Sequence, residues 1–284
     1  MIKVKDLAFS YTKHPFLEDI SFDVKQGEIF GFLGPSGAGK STLQKILTGL
    51  ISNYQGNALM NGVECKSRKN HFYENIGVDF EFPSLFEKLT GMENLKFFGS
   101  LYSRPLRDQA ELLHRVRLFQ DKDKKVSDYS KGMKSRLNFI KALLHDPDLL
   151  FLDEPTSGLD PSNSRDMKDI ILEEKQRGKT IILTTHNMQD ASELCDRVAF
   201  IVDGKIKALD TPHNLIMSKG ATKVIYSFYD ELNGKEITKD CLLSQTGEDK
   251  ELQLLMHKNR IRSIHSSEPT LNDIFIEVTG RVLL

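Results

Sequence analysis

Apolar residues alternate at the start of this chain, run together in its middle and take helical spacing between. Ile2, Val4, Leu7 and Phe9 alternate imperfectly with polar neighbours, as in a strand with one buried face. Tyr11 ends that strand, His14-Pro15 turns the chain, and Phe16-Leu17, Ile20, Phe22 and Val24 form the returning strand. Gln26-Gly27 turns again into Ile29-Phe30-Gly31-Phe32-Leu33, a short apolar strand. Leu43, Ile46 and Leu47 follow at helical spacing, then Gln55 to Met60, an Asn61-Gly62 turn and a short strand over Ile76 to Phe80. From Leu85 to about His145 the texture is helical, with Met92, Leu95 and Leu101, then Asp108 opening a stripe of Leu112, Leu113, Val116 and Phe119, then Leu137, Ile140 and Leu144.

Leu149-Leu150-Phe151-Leu152 and Thr180-Ile181-Ile182-Leu183-Thr184 are apolar without alternation, the pattern of strands buried on both faces of a parallel sheet. Between them Asp160 and Pro161 mark a helix start, Met167, Ile170 and Ile171 its buried face, and Lys175, Arg177 and Gly178 its end. Arg197 to Val202 and Lys205 to Leu209 flank Asp203-Gly204, a hairpin signal. In the tail, from about Ala221, Val224 to Phe228 and Leu252 to Met256 read as strands and Leu271 to Val278 as a helix. The pattern predicts an α/β fold: a mainly parallel sheet, an N-terminal antiparallel β layer, an inserted α-helical subdomain over about 85–145, and a small C-terminal α+β extension over 221–284 after a main domain of 1–220.

Composition narrows this reading without redirecting it. The chain's 284 residues suffice for a large core, and a net charge of -1 gives no basic excess that would point to nucleic acid. Cys65, Cys195 and Cys241 lie far apart without ligand spacing, as expected of free thiols in a reducing cytosol. The charged opening Met1-Ile2-Lys3-Val4-Lys5-Asp6 reads as no signal peptide, and no apolar run is long enough to span a bilayer. If a membrane is involved, another chain supplies the spans.

The chemistry is written between the third strand and the first helix. Gly34-Pro35-Ser36-Gly37-Ala38-Gly39-Lys40-Ser41-Thr42 reads G-x-x-x-x-G-K-S, the pattern of a phosphate-binding loop and hence of a P-loop NTPase core. Glycines let consecutive N–H groups turn toward phosphate oxygens, Lys40 reaches the β- and γ-phosphates, and the Ser41 hydroxyl can ligate Mg²⁺. Asp153 and Glu154 close the buried strand that begins at Leu149, a costly place for two carboxylates unless something uses them. Asp153 is suited to hold Mg²⁺, and Glu154 to polarise a water for attack on a γ-phosphate. His186 follows the next buried strand, and strand carboxyl ends are where open parallel sheets hold ligands.

Taken together, these segments resemble the nucleotide-binding subunit of an ATP-binding cassette (ABC) transporter over about Met1 to Ser218. The family's signature is usually Leu-Ser-Gly-Gly-Gln; here Tyr129-Ser130-Lys131-Gly132-Met133 keeps Ser130 and Gly132 and departs at Tyr129, Lys131 and Met133. The resemblance implies that Ser130, Lys131, Gly132 and Met133 face ATP held by an opposite subunit. It implies that Tyr11 stacks on adenine and that Asp160, after Ser157-Gly158-Leu159, crosses a dimer interface. Where the family has glutamine between core and helical subdomain, this chain has Glu81, which can ligate Mg²⁺ but cannot donate. Glu268 to Phe275, with Thr279-Gly280, resembles the end of subunits in the drug- and peptide-exporter branch.

The resemblance thus implies an ATPase using ATP and Mg²⁺ on the cytoplasmic face of the membrane. It would pair with a second nucleotide-binding subunit, in a homo- or heterodimer, and drive a separate transmembrane permease, for export. An importer subunit would share every motif. A ribosome-acting cassette normally carries two phosphate loops, and a chromosome-type cassette needs heptads between Lys40 and Ser130 that this chain lacks. No nucleic-acid partner is expected.

Overall fold

A computed structural model describes residues 1–67, 70–218, 223–230, 234–267 and 269–281. They form two compact units that divide between Leu209 and Asp210. The junction expected at 220–221 lies outside the described residues.

The first unit opens with β1 (Ile2–Phe9) and β2 (Leu17–Val24), paired antiparallel with Ile2 opposite Val24 and Val4 opposite Phe22. After β3 (Ile29–Leu33) and α1 (Lys40–Leu47), β4 (Gln55–Met60) joins β1 on its other edge and the short β5 (Val63–Glu64) follows, giving the order β2-β1-β4-β5. The antiparallel layer therefore recruits a strand from beyond the phosphate loop, which local sequence does not reveal. A one-turn helix α2 (Asn70–Tyr73) leads into β6 (Ile76–Asp79).

The helical segment holds α3 (Gly91–Gly99), α4 (Gln109–Arg115) and α5 (Lys131–Leu143). Thr90 caps α3 in a reciprocal box with Glu93, Asp108 caps α4, and Ser130 caps α5 by accepting from the Met133 amide. The core resumes with β7 (Leu149–Asp153), α6 (Pro161–Gln176), β8 (Thr180–Thr185), α7 (Met188–Leu194), β9 (Arg197–Val202) and β10 (Lys205–Asp210). Asp160 caps α6, and Gly178 after it is left-handed at φ 87°. The main sheet runs β10-β9-β3-β8-β7-β6, and each adjacent pair from β9 across to β6 is parallel. Every residue of β3, β7 and β8 is buried, as their unbroken apolar runs require.

The second unit contains α8 (Pro212–Met217), β11 (Lys223–Asp230), β12 (Lys235–Leu242), α9 (Lys250–His257), β13 (Ile261–Ser267) and α10 (Leu271–Thr279). Its antiparallel sheet runs β12-β11-β13, with Tyr226 and Phe228 packed on Leu252 and Leu255. Here the strand expected at Leu252–Met256 is a helix. Asp249 accepts from the amides of Glu251 and Leu252, and burial falls on Leu252 and Leu255, three residues apart, while Leu254 and Met256 are exposed. Of the exporter-like tail, Glu268 lies outside the described residues. Among the described residues, no helix is long and apolar enough to cross a membrane.

Candidate functional site

The loop from Gly34 to Gly39 leaves the carboxyl end of β3 and opens α1. Gly34 has no room for a side chain, since a Cβ there would lie 2.1 Å from the Ile201 carbonyl oxygen. Gly39 is left-handed at φ 110° and stands where α1 would have its cap, with no side chain to occupy the first amides of the helix. This seats the open end of α1 over a cavity of about 250 Å³. Ser36 to Thr42 line it on one side, and Glu81, Asp153, Glu154 and His186 on the others.

Lys40 is buried, and its ammonium donates to the carbonyls of Gly34 (2.7 Å) and Pro35 (3.0 Å). Burial draws its pKa below the usual lysine range, while the carboxylates of Glu154, Asp153 and Glu81 work against that shift. A lysine facing three carboxylates is a charge arrangement suited to a cation and a polyanion bound together.

Asp153 ends β7 with one carboxylate oxygen 3.1 Å from the Ser41 hydroxyl and the other accepting from Thr184. Gln44, fully buried on α1, donates to the Leu152 carbonyl (3.3 Å) and ties helix to strand. Glu154 is the next residue and takes a left-handed backbone, φ 53°, which costs on the order of 1 kcal/mol for a non-glycine residue. Its amide donates to the Thr184 carbonyl (2.9 Å). Its carboxylate accepts from the His186 amide (2.9 Å) and the Thr185 hydroxyl (3.1 Å), and lies 2.8 Å from His186 Nδ1. The end of β8 thus holds the carboxylate on three sides, and the His186 ring stays half-exposed at the rim.

The structure brings the phosphate loop, Glu81, Asp153, Glu154 and His186 into one cavity. Tyr11 is not in its lining. It is exposed, meets Phe9 and Phe16 edge to face with centroids 4.7 Å and 5.3 Å away, and its hydroxyl lies 3.0 Å from Thr42 Oγ1. Phe16 lines the cavity instead, and the sequence signal for it was slight: an aromatic residue just after the Pro15 turn. Thr184 and Thr185, which hold the two carboxylates, were visible only as neighbours of His186.

Ser130, Lys131, Gly132, Met133 and Asp160 lie outside this cavity. They cluster where α5 and α6 begin. A Cβ on Gly132 would lie 3.3 Å from Leu159, and one on Gly158 would lie 3.7 Å from the Lys131 ammonium. Asp160 is engaged at its cap, accepting from the amides of Ser162 and Asn163 at 3.1 Å each.

The ABC transporter family model matches residues 17–157. The chain is 47% identical over 285 residues to a fluoroquinolones export ATP-binding protein of Mycobacterium tuberculosis, spanning 100% of this chain and 94% of that protein. A Nod factor export ATP-binding protein I of Rhizobium meliloti is 35% identical over 297 residues, 99% of this chain and 89% of that one. A linearmycin resistance ATP-binding protein of Bacillus subtilis is 30% identical over 309 residues, 100% of this chain and 99% of that one. A solved ATP binding subunit of an ABC transporter superposes with a TM-score of 0.70 at 32% identity, covering 77% of this chain and 93% of that one. The chain belongs to the ABC transporter family, as an ATP-binding subunit whose hydrolysis of ATP is coupled to transport.

Proposed function

We propose that this subunit drives export of a drug, peptide or similar compound through a separate membrane permease, at the cytoplasmic face of the membrane. The full-length likeness to proteins named for export supports that direction. The observation that carries the enzymology is the Glu154 carboxylate, held by Thr185 and His186 at the wall opposite Lys40.

In this reading the loop amides and Lys40 bind the ATP phosphates, and Tyr11 and Phe16 offer aromatic faces to the base. Ser41 and Asp153 present hard oxygens 3.1 Å apart beside the loop, a donor set that fits Mg²⁺, with Glu81 as a further carboxylate. When bound there, Mg²⁺ neutralises phosphate charge. Water attacks the γ-phosphorus, Glu154 accepts its proton, and the bond to the β,γ-bridging oxygen breaks to release ADP and phosphate. His186 fixes the Glu154 carboxylate and can donate to a γ-phosphate oxygen. Ser130 to Met133 and Asp160 lie outside the cavity and complete the site of a second subunit, across a dimer interface.

Glu154→Gln tests this. ATP binding should persist while turnover falls on the order of a hundredfold or more, and ATP should shift the variant to dimers in size-exclusion chromatography. Turnover near the wild-type rate would remove Glu154 from the role. Co-purification with a permease, and loss of efflux from cells carrying the variant, tests the transport half.

A further inference from the structure

Glu81 stands on an irregular strap between β6 and α3, and a buried polar cluster ties that strap to α5. Asp79 ends β6 opposite Leu152 of β7, and only 4% of it is exposed. Asn138, on α5 and 2% exposed, donates both to the Asp79 carboxylate and to the Phe80 carbonyl (3.2 Å). Its own carbonyl oxygen accepts from Lys141, one turn further along, at 2.6 Å. Lys141 also donates to the Ser84 carbonyl (3.1 Å) and sits over the Phe98 ring, 4.7 Å from its centroid.

This cluster grips the strap at both ends, at Phe80 and at Ser84. Within that span the residues face two ways. Glu81 lines the phosphate cavity, while Phe80, Phe82 and Ser84, with Asn138 and Lys141, line an apolar cavity of about 300 Å³. Beyond it, Asn94 of α3 holds Phe86 by both its amide (2.8 Å) and its carbonyl (3.0 Å). Nothing in the phosphate chemistry uses Asp79, Asn138 or Lys141, yet burying Asp79 and Asn138 is expensive. The gripping helix is also the one that Ser130 caps.

We propose that Asn138, held between Asp79 and Lys141, is a positioning residue that fixes Glu81 against the phosphate loop and couples it to the helix carrying Ser130. The inference rests on the ATPase reading above. Within the Phe80–Ser84 span, which has no helix or strand bonds, the carbonyls of Phe80 and Ser84 accept from Asn138 and Lys141 of α5. Losing the grip frees Glu81 without touching Lys40, Asp153 or Glu154.

The test is a double-mutant cycle on the full chain, with MgATP hydrolysis measured against both ATP and Mg²⁺. Asn138→Ala should lower kcat by roughly tenfold with KM for ATP within about twofold, and should raise the Mg²⁺ needed for half-maximal rate. Glu81→Ala should do the same, and the double variant should be no worse than either alone. Additive losses, or either single variant behaving as wild type, would overturn the proposal. If Asn138→Ala does not fold, judged by thermal unfolding, Lys141→Met carries the same cycle and Lys141→Arg, which keeps the donor, should restore the rate. A wild-type chain that does not hydrolyse MgATP would sink the ATPase reading itself, whereas hydrolysis with additive variants sinks only the clamp.

Discussion

Asp79 shows how one buried carboxyl writes a pH dependence into the whole chain. Its ordinary value is 3.8, and in the fold it rises to about 7 because burial penalises the charged form. Between those values the folded chain holds a proton that the unfolded chain releases, so this group's contribution to stability is largest below pH 4 and is lost as pH rises toward 7. Groups facing it are Asn138 and Lys141 from α5 and Asp153 from β7, the first two easing its ionisation and the last opposing it. Asp79→Asn keeps an acceptor for Asn138 without the titration. Relative to this variant, wild type should lose about 1–4 kcal/mol between pH 5 and pH 8, read from urea midpoints at both pH values. An unchanged difference would show that Asp79 stays ionised throughout. This residue was illegible in the sequence, where it is one acid in a short strand. Its partner sits 59 positions away on a helix, and only packing brings the two together. Lys40, Ser41, Asp153, Glu154 and His186 were legible for the opposite reason: a fixed spacing or a buried strand end marks each one locally. Tyr11 was singled out only through the family resemblance, as the residue stacking on adenine; it stands edge-on to Phe16, which lines the wall.

Among elements, the buried strands β3, β7 and β8 and the capped helices α4, α5 and α6 were readable because run length and cap chemistry agree. The capping box Thr90-Gly91-Met92-Glu93 at α3 was not read, although its spacing is the signal of a helix start. α9 was not, because Leu252-Gln253-Leu254-Leu255-Met256 is apolar enough to pass for a strand, and the arbiter is the cap just upstream. If the Asp249 cap is what commits this segment to helix, Asp249→Ala should cost about 1 kcal/mol locally. Amide exchange across Leu252–Met256 should then quicken by about fivefold, while exchange in β7 and β8 stays unchanged. No change at Leu252 would mean that packing on Tyr226 and Phe228 alone holds the helix. β12 and β13 escaped the sequence because they are mostly exposed and polar, so their side chains carry no periodic signal.

At the scale of the molecule, the order of strands differs sharply from the order of synthesis. β3 carries the phosphate loop, yet its neighbours are β8 and β9: Ile29 lies opposite Ile181, and Gly31 opposite Val198. Gly34 rests against the Ile201 carbonyl, still later in the chain. The loop that starts the chemistry therefore leaves the ribosome well before the strands that wall it. Pairings this distant in sequence are slow to close and leave apolar strands uncovered meanwhile. A chain stalled with residues 1–170 outside the ribosome should gain no protection from proteolysis by ATP, whereas one displaying residues 1–209 should; protection of the shorter chain would show that β3 finds a temporary partner. During synthesis, then, nucleotide cannot act as an early chaperone of this fold. It can only certify a first unit already complete, and for most of the time spent on the ribosome Phe30 and Phe32, buried in the finished core, must be kept from aggregation by something other than nucleotide.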